Sequence, residues 1–190
     1  MTLGRCFSAI VVFLVALLPV HAQTNGAPER FTAMAVNMTN HTFGKTYTAE
    51  IVIDRWATDR ESGDFVAALG ESGPQGALKM LEGRARVGFL RSSGLGFDLT
   101  LALQGPLPDG GRRIIVISPR RVTPGEATNS ARIMDYPFMV IELKLGANNT
   151  GEGTMSAAAR LSLDSDGNTI EVENFGDGTV QLRGVETEKK

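Results

Sequence analysis

The chain has 190 residues, enough for one domain with a buried core, and its formal net charge is −2. This weakly acidic balance argues against nucleic acid or an anionic membrane surface as its main partner. The single cysteine, Cys6, and His21, one of the two histidines, lie close to the N-terminus. The rest of the chain therefore has no means of forming an internal disulfide, a thiolate nucleophile or a cysteine metal site.

The N-terminal residues 1–22 are typical of a secretory signal peptide. Their apolar run, 9–20, is too short to span a bilayer comfortably, and a small-residue cleavage pattern ends at Ala22. Gln23 is therefore the predicted mature N-terminus. We expect an exported protein, periplasmic or secreted, with one β-rich domain over 23–190 and no integral membrane segment after cleavage.

Alternating apolar and polar residues predict five strands between residues 31 and 118. One of them includes the run Ile114–Ile117, which is apolar on both faces and so predicts a strand buried on both sides. The five predicted strands cover 31–36, 47–54, 86–91, 95–103 and 112–118.

A change to helical period interrupts these strands over about 59–82. Thr58 and Glu61 have the spacing of a capping box, in which each side chain accepts a hydrogen bond from the other residue's backbone. Gly70 is expected to end a first helix, and Pro74 to begin a second at its first helical position. The pattern predicts a short two-helix insertion.

Four further alternating segments run from 134 to 185 and predict an antiparallel meander. Pro137 prevents a helix from crossing its start, and the turn around Asp166-Gly167 favours a hairpin within it. The residues expected on the core face of the first two meander strands are Met139, Ile141, Leu143, Leu145, Ala157, Ala159, Leu161 and Leu163.

About nine short strands separated by turn residues indicate a mainly β fold. The arrangement expected is an antiparallel sandwich or barrel that carries the two-helix insertion. The sequence favours neither of these two architectures over the other.

Four short segments also carry a resemblance. They are 29–33, 54–56, 106–113 and 135–138, and together they resemble a family of exported bacterial proteins of uncharacterised function. The resemblance covers the whole chain after the leader. It implies export and implies no particular activity.

Two candidate metal or catalytic features have simpler structural explanations. His41 is the one histidine after the leader, and nothing around it resembles a nucleophile elbow or a zinc motif. Asp164, Asp166 and Asn168 resemble the start of a calcium loop, but the positions that require Gly and Glu are filled by other residues. We expect a loop histidine, a hairpin turn, no metal site and no cofactor.

Paired carboxylates would be the basis of the alternative function, a small carboxylate-dependent hydrolase. Glu142, Glu171 and Glu173 lie on predicted strands, where alternation places them on the polar face. We expect these glutamates to form a solvated sheet surface, and we predict no catalytic residue.

Arginines bracket one strand and the long loop that follows it. Arg112 and Arg113 precede the strand, and a strand of this length spans roughly 23 Å, too far for both ends to reach one small ligand. The guanidinium group suits bidentate binding of phosphate or carboxylate. The residues predicted to bind an anionic group are Arg120, Arg121 and Arg132.

The function expected from these observations is an exported, non-catalytic binding or interaction module. Its ligand is expected to be an anionic group, an apolar molecule or a protein partner. If the sheet closed into a barrel, an apolar ligand would fit its interior.

Overall fold

The computed structural model describes residues 26–37, 46–92, 94–120, 135–167, 169–175 and 179–188. Within these ranges the chain forms one helix and ten strands, so the mainly β prediction is confirmed. In chain order the elements are β1 (Glu29–Asn37), β2 (Thr46–Ile53), α1 (Asp59–Leu81), β3 (Gly88–Ser92), β4 (Leu95–Leu99), β5 (Leu101–Pro106), β6 (Arg112–Pro119), β7 (Phe138–Leu145), β8 (Thr150–Leu163), β9 (Ile170–Asn174) and β10 (Thr179–Thr187).

All the strands belong to a single antiparallel sheet. Its order is β4-β3-β2-β1-β10-β8-β7-β6-β5, and β9 pairs with the second half of the long strand β8. The first and last strands of the chain, β1 and β10, therefore pair with each other in the middle of the sheet. The four strands of the predicted meander are present as β7, β8, β9 and β10, but the meander order is wrong at its end, because β10 pairs with the first half of β8 and not with β9.

The tenth strand arises because the single strand predicted over 95–103 divides at Thr100. Its first half, β4, pairs with β3, and its second half, β5, pairs with β6 at the opposite edge of the sheet. The Thr100 N–H donates to the Ile117 carbonyl at 3.1 Å, and its side chain is buried beside Ser118. The sheet is not closed into a barrel, which leaves a curled, sandwich-like sheet as the observed architecture.

The inner face of the curled sheet, which faces the main core, carries apolar side chains from both of its halves. Alternation along β7 places Ile141, Leu143 and Leu145 there, as predicted. Since strands from both ends of the sheet contribute, the sheet packs against itself. Other members of this inner core are Phe31, Ile51, Ile53, Trp56, Leu90, Leu99, Ile114, Val116 and Leu182.

Helix α1 covers part of the outer face, which is the opposite side of the sheet. The capping box of Thr58 and Glu61 is present as predicted. The helix continues through Gly70, so the predicted end at that residue is wrong, and the break falls at Gly73, whose φ is +63°. The two segments of the kinked α1 on either side of Gly73 correspond to the predicted pair of helices, and Pro74 begins the second segment as predicted. Within the described ranges, no helix is both long enough and apolar enough to cross a membrane.

A second core lies between α1 and the outer face of β5 to β9. The helix contributes one apolar stripe at helical spacing, and the sheet contributes the outward residues of its strands. Its buried members are Phe65, Leu69, Ala77, Leu81, Leu101, Ile115, Ile117, Phe138, Val140, Ala159, Leu161 and Ile170. Ile114–Ile117 is therefore buried on both sides, as predicted.

A β-bulge in β8 changes which residues face the core. Ser156 pairs with Val140, whereas Ala159 pairs with Phe138, so β8 has one extra residue between these two positions. Ser156 is buried and Ala157 is exposed. The prediction that Ala157 faces the core is wrong, because the bulge shifts the alternation by one residue.

Candidate functional site

The two arginines at the start of β6 are held in ion pairs. Arg112 Nη2 lies 2.5 Å from Glu29 Oε2 and Arg113 Nε lies 2.8 Å from Glu142 Oε1. The guanidinium of Arg112 also lies over the ring of Phe31. Each arginine therefore links neighbouring parts of the fold.

Of the three arginines predicted to bind an anion, only Arg120 lies in the described part of the chain. It follows β6 directly, is half-buried, and its N–H donates to the Pro137 carbonyl at 2.7 Å. Arg121 and Arg132 lie outside the described residues, as does His41. The anion site stays a prediction.

The carboxylates considered for catalysis lie on different strands and have different neighbours. On β7, Glu142 is flanked by Arg113 and by Lys144, whose Nζ lies 3.8 Å away. On β9, Glu171 is exposed, and Glu173 accepts a hydrogen bond of 2.6 Å from the Tyr136 hydroxyl. The shallow surface depression beside Glu142 is lined by charged and polar side chains, including Glu152.

The turn between β8 and β9 has the hydrogen bonds of a hairpin. Asp164 Oδ1 accepts from the Thr169 N–H at 3.0 Å, and the Asp164 carbonyl accepts from the Gly167 N–H at 3.0 Å. The hairpin prediction is confirmed. In the ranges that the structure describes, no three His, Cys, Asp or Glu side chains are grouped to hold a metal ion.

Glu61, at the start of α1, is the centre of an ion-pair cluster that fastens the helix to the sheet. It pairs with Arg55 at 2.6 Å and with Arg84, and it accepts from the Thr58 N–H at 2.9 Å. The pKa of Glu61 is lowered to about 2, chiefly by the hydrogen bonds from Arg55 and also by the Thr58 N–H and the charges of Arg55 and Arg84, against a rise caused by burial. The interactions of this cluster hold the start of the helix in place.

The unusual feature of the surface is an apolar patch on the edge strand β4. Leu95 is 61% exposed and Phe97 is 42% exposed, although alternation puts both on the same side of β4 as the fully buried Leu99. Phe97 pairs with Leu90, a residue of the inner core. We call Leu95 and Phe97 the β4 patch. It continues the inner apolar face to the sheet edge, where no described strand covers it.

At the end of the sheet that carries the β4 patch, other side chains of the inner face are also only partly buried. Because neighbouring strands are antiparallel, the starts of β2, β4 and β7 lie at the same end of the sheet. The second residues of β2 and β7, Tyr47 and Met139, are partly buried against the inner core there. The β4 patch therefore belongs to an end of the sheet rich in aromatic and methionine side chains.

Hydrogen bonds show which backbone groups of β4 point away from β3. The Leu99 carbonyl accepts from Val87 on the β3 side, whereas the Asp98 carbonyl accepts from the Ser118 hydroxyl at 2.6 Å on the other side. By alternation, the N–H and C=O of Gly96 also point away from β3. Among the described residues, β6 covers this edge only from Asp98 onwards.

The other edge strand, β5, is better protected. The Ala57 N–H donates to the Ala102 carbonyl at 2.9 Å, and β5 ends at Pro106, which has no N–H to offer a neighbour. The contrast between the two edges makes β4 the candidate site. Sequence analysis missed it, since Leu95, Phe97 and Leu99 have the same alternation as a covered strand.

Comparisons of the chain with protein-family models, with curated proteins and with solved structures found no match.

Proposed function

We propose that this chain is an exported, non-catalytic binding or interaction module that binds an apolar group of its partner at the β4 patch. The observation that carries the proposal is the exposure of Leu95 and Phe97 beside buried residues of the same strand face. Fully burying a side chain of either type is worth roughly 1.5–3 kcal/mol. A partner that covered both side chains would gain a large part of the binding free energy of a complex of modest affinity.

The position of the patch on an edge strand supports a binding role. Natural proteins commonly protect edge strands with charges, proline, bulges or covering segments, as this chain does at β5. At β4 three of the four exposed positions are filled by leucine, glycine and phenylalanine, and the one charge, Asp98, lies towards the end that β6 covers. Two large apolar residues at adjacent inner-face positions form a patch, in contrast to isolated surface hydrophobics, which are common.

Because the interior of the sheet is packed, we propose a binding site on the surface. Inner-core side chains such as Ile51, Leu90 and Ile141 are almost completely buried and belong to one apolar cluster that includes strands from both halves of the curled sheet. Interiors of this kind are close-packed. An apolar ligand is therefore proposed at the end of the sheet, beside Tyr47 and Met139, and not inside it.

Export rests on the leader and on the family resemblance. The predicted signal peptide would deliver the domain to the periplasm or the medium, where its partner would be an exported molecule or part of the cell surface. The ion pairs that occupy Glu29, Glu61 and Glu142 favour structural roles for these carboxylates, and so favour binding over hydrolysis.

Titration with anilinonaphthalenesulfonate, a fluorescent dye whose aromatic rings bind exposed apolar surface, tests the proposal. We expect the mature chain to bind the dye, and the Leu95→Ser/Phe97→Ser variant to bind it roughly tenfold more weakly because the apolar contact is lost. Met34 is the matched control, since it is 50% exposed on the outer face of β1. Equal dye binding by the parent and the double variant would refute the proposed site.

A further inference from the structure

We propose that β4 is a docking strand, which binds an extended segment of a partner polypeptide as an additional strand along Leu95–Phe97. This inference rests on the proposed function and names the partner's chemistry. Strand addition combines backbone hydrogen bonds with side-chain contacts on alternate positions. β4 offers both at one place.

The backbone supplies the first argument. The N–H and C=O of Gly96 point away from β3, and β6 covers the edge only beyond them, at Asp98 and Thr100. An incoming strand would pair with Gly96 and extend away from the covered end of β4. Such a segment continues the antiparallel sheet without displacing any described strand.

Gly96 supplies the second argument. A Cβ built on it would meet no described atom within 4 Å, and its φ lies outside the left-handed range that favours glycine. Neither a turn nor packing within the described chain requires glycine at this position. Glycine inside a strand often marks a place where another backbone approaches closely. Here no Cβ and no other described atom covers the backbone between the two apolar residues.

The side chains define what the partner must look like. Leu95 and Phe97 lie on the inner side of β4, so the residues of the added strand that face them should be apolar. On the outer side, Asp98 is 75% exposed and Arg91 is 62% exposed, so the alternate residues should be polar. The partner segment is therefore an extended peptide of alternating apolar and polar residues. A small apolar molecule would not use the backbone of Gly96, and a second copy of this chain would make the protein dimerise.

The probe is a labelled synthetic peptide of about six residues, the usual length of a strand, which alternates valine and threonine. A matched peptide with proline at its centre cannot add as a strand. By fluorescence anisotropy, we expect the mature chain to bind the alternating peptide at least ~10-fold more tightly than the proline peptide.

Three variants separate the possible explanations. Gly96→Pro removes the outward N–H and keeps the apolar side chains, so it should weaken peptide binding roughly tenfold while dye binding persists. Leu95→Ser/Phe97→Ser should weaken both, and Met34→Ser should change neither. Near-ultraviolet circular dichroism would verify that each variant is folded.

Three results would overturn the docking strand. One is peptide binding by Gly96→Pro that equals the parent's, and another is equal affinity for the two peptides. The third is a parent dimer that Gly96→Pro dissociates, which would identify a second copy as the occupant. If dye binding still depends on Leu95 and Phe97 in these cases, the proposed function stands and only the strand inference fails.

Discussion

At the scale of single residues, Glu61 joins three parts of the fold through one carboxylate. Its oxygens accept from Arg55 before the helix, from Arg84 after it, and from the backbone of Thr58 at its start. Replacing the carboxylate by an amide keeps the shape of the side chain and removes the charge. The ion-pair contribution can therefore be measured separately from the packing.

Glu61→Gln should lower the free energy of unfolding at neutral pH by about 1–3 kcal/mol. The pKa of Glu61 falls from 4.5 to about 2 on folding, so its contribution is present above pH 4.5 and is lost as the pH falls towards 2. Urea unfolding across this interval should show a steeper loss of stability in the parent than in Glu61→Gln. Parallel pH curves for the two proteins would contradict this assignment.

Core residues give a second residue-scale prediction. Ile141→Ala and Leu161→Ala should each lower the free energy of unfolding by roughly 2–4 kcal/mol, because both side chains are fully buried. The control is Glu171→Ala on the exposed face of β9, which should cost less than about 0.5 kcal/mol. Similar losses for all three variants in urea unfolding would show that the strand faces are misassigned.

Some of these residues were predictable because their signals are local. The spacing of Thr58 and Glu61 is sufficient to predict the capping box, and alternation is sufficient to place Ile141 in the core. Arg112 is different, because its partner Glu29 lies 83 residues earlier in the chain. No local pattern identifies such a pair.

At the scale of elements, α1 is divided by one backbone conformation. Gly73 has a φ of +63°, and Pro74 follows it inside the helix. The sequence indicated a break in this region but placed the first helix end at Gly70. Gly70 is an ordinary helical residue here, and its neighbour Leu69 is buried in the core between the helix and the sheet.

Two glycines of α1 should respond to alanine in opposite ways. Gly73→Ala should lower the free energy of unfolding by about 1 kcal/mol, because alanine is disfavoured at positive φ. Gly63→Ala should raise it by about 0.5–1 kcal/mol, since Gly63 is exposed, helical and has open space around its Cβ position. Thermal unfolding would measure both, and the same sign for the two variants would contradict the kink.

Where the predicted elements differ from the observed ones, the difference lies in which strand each segment pairs with and in which register. The strand over 95–103 was predicted as one element, but Thr100 directs its halves to opposite edges of the sheet. The exposure of Ala157 depends on one extra residue relative to β7. Alternation predicts that a strand forms; the partner strand then decides its register and which side is covered.

At the scale of the whole molecule, the chain is organised around the pairing of its first and last strands. β1 and β10 lie between the two halves of the sheet, so the inner core needs both ends of the described chain. The sequence predicted the class of fold from strand number and turn spacing. It left open whether the sheet closes, because closure depends on the contact between distant edges.

Export is a prediction at this scale. Mass spectrometry of protein recovered from the periplasm or medium should show an N-terminus near Gln23, since the small-residue cleavage pattern ends at Ala22. Full-length chain recovered only from the cytoplasm would contradict export.

The central claim is that the β4 patch contacts a partner, and site-specific photo-crosslinking in the producing cells tests it most directly. The photoreactive residue benzoylphenylalanine would replace Phe97, which is 42% exposed, in one variant and Met34, which is 50% exposed, in a control variant. Position 97 is predicted to give a discrete adduct with another polypeptide, identified by mass spectrometry, and position 34 to give none. No adduct at position 97, or the same adduct in equal yield at both positions, would contradict the claim.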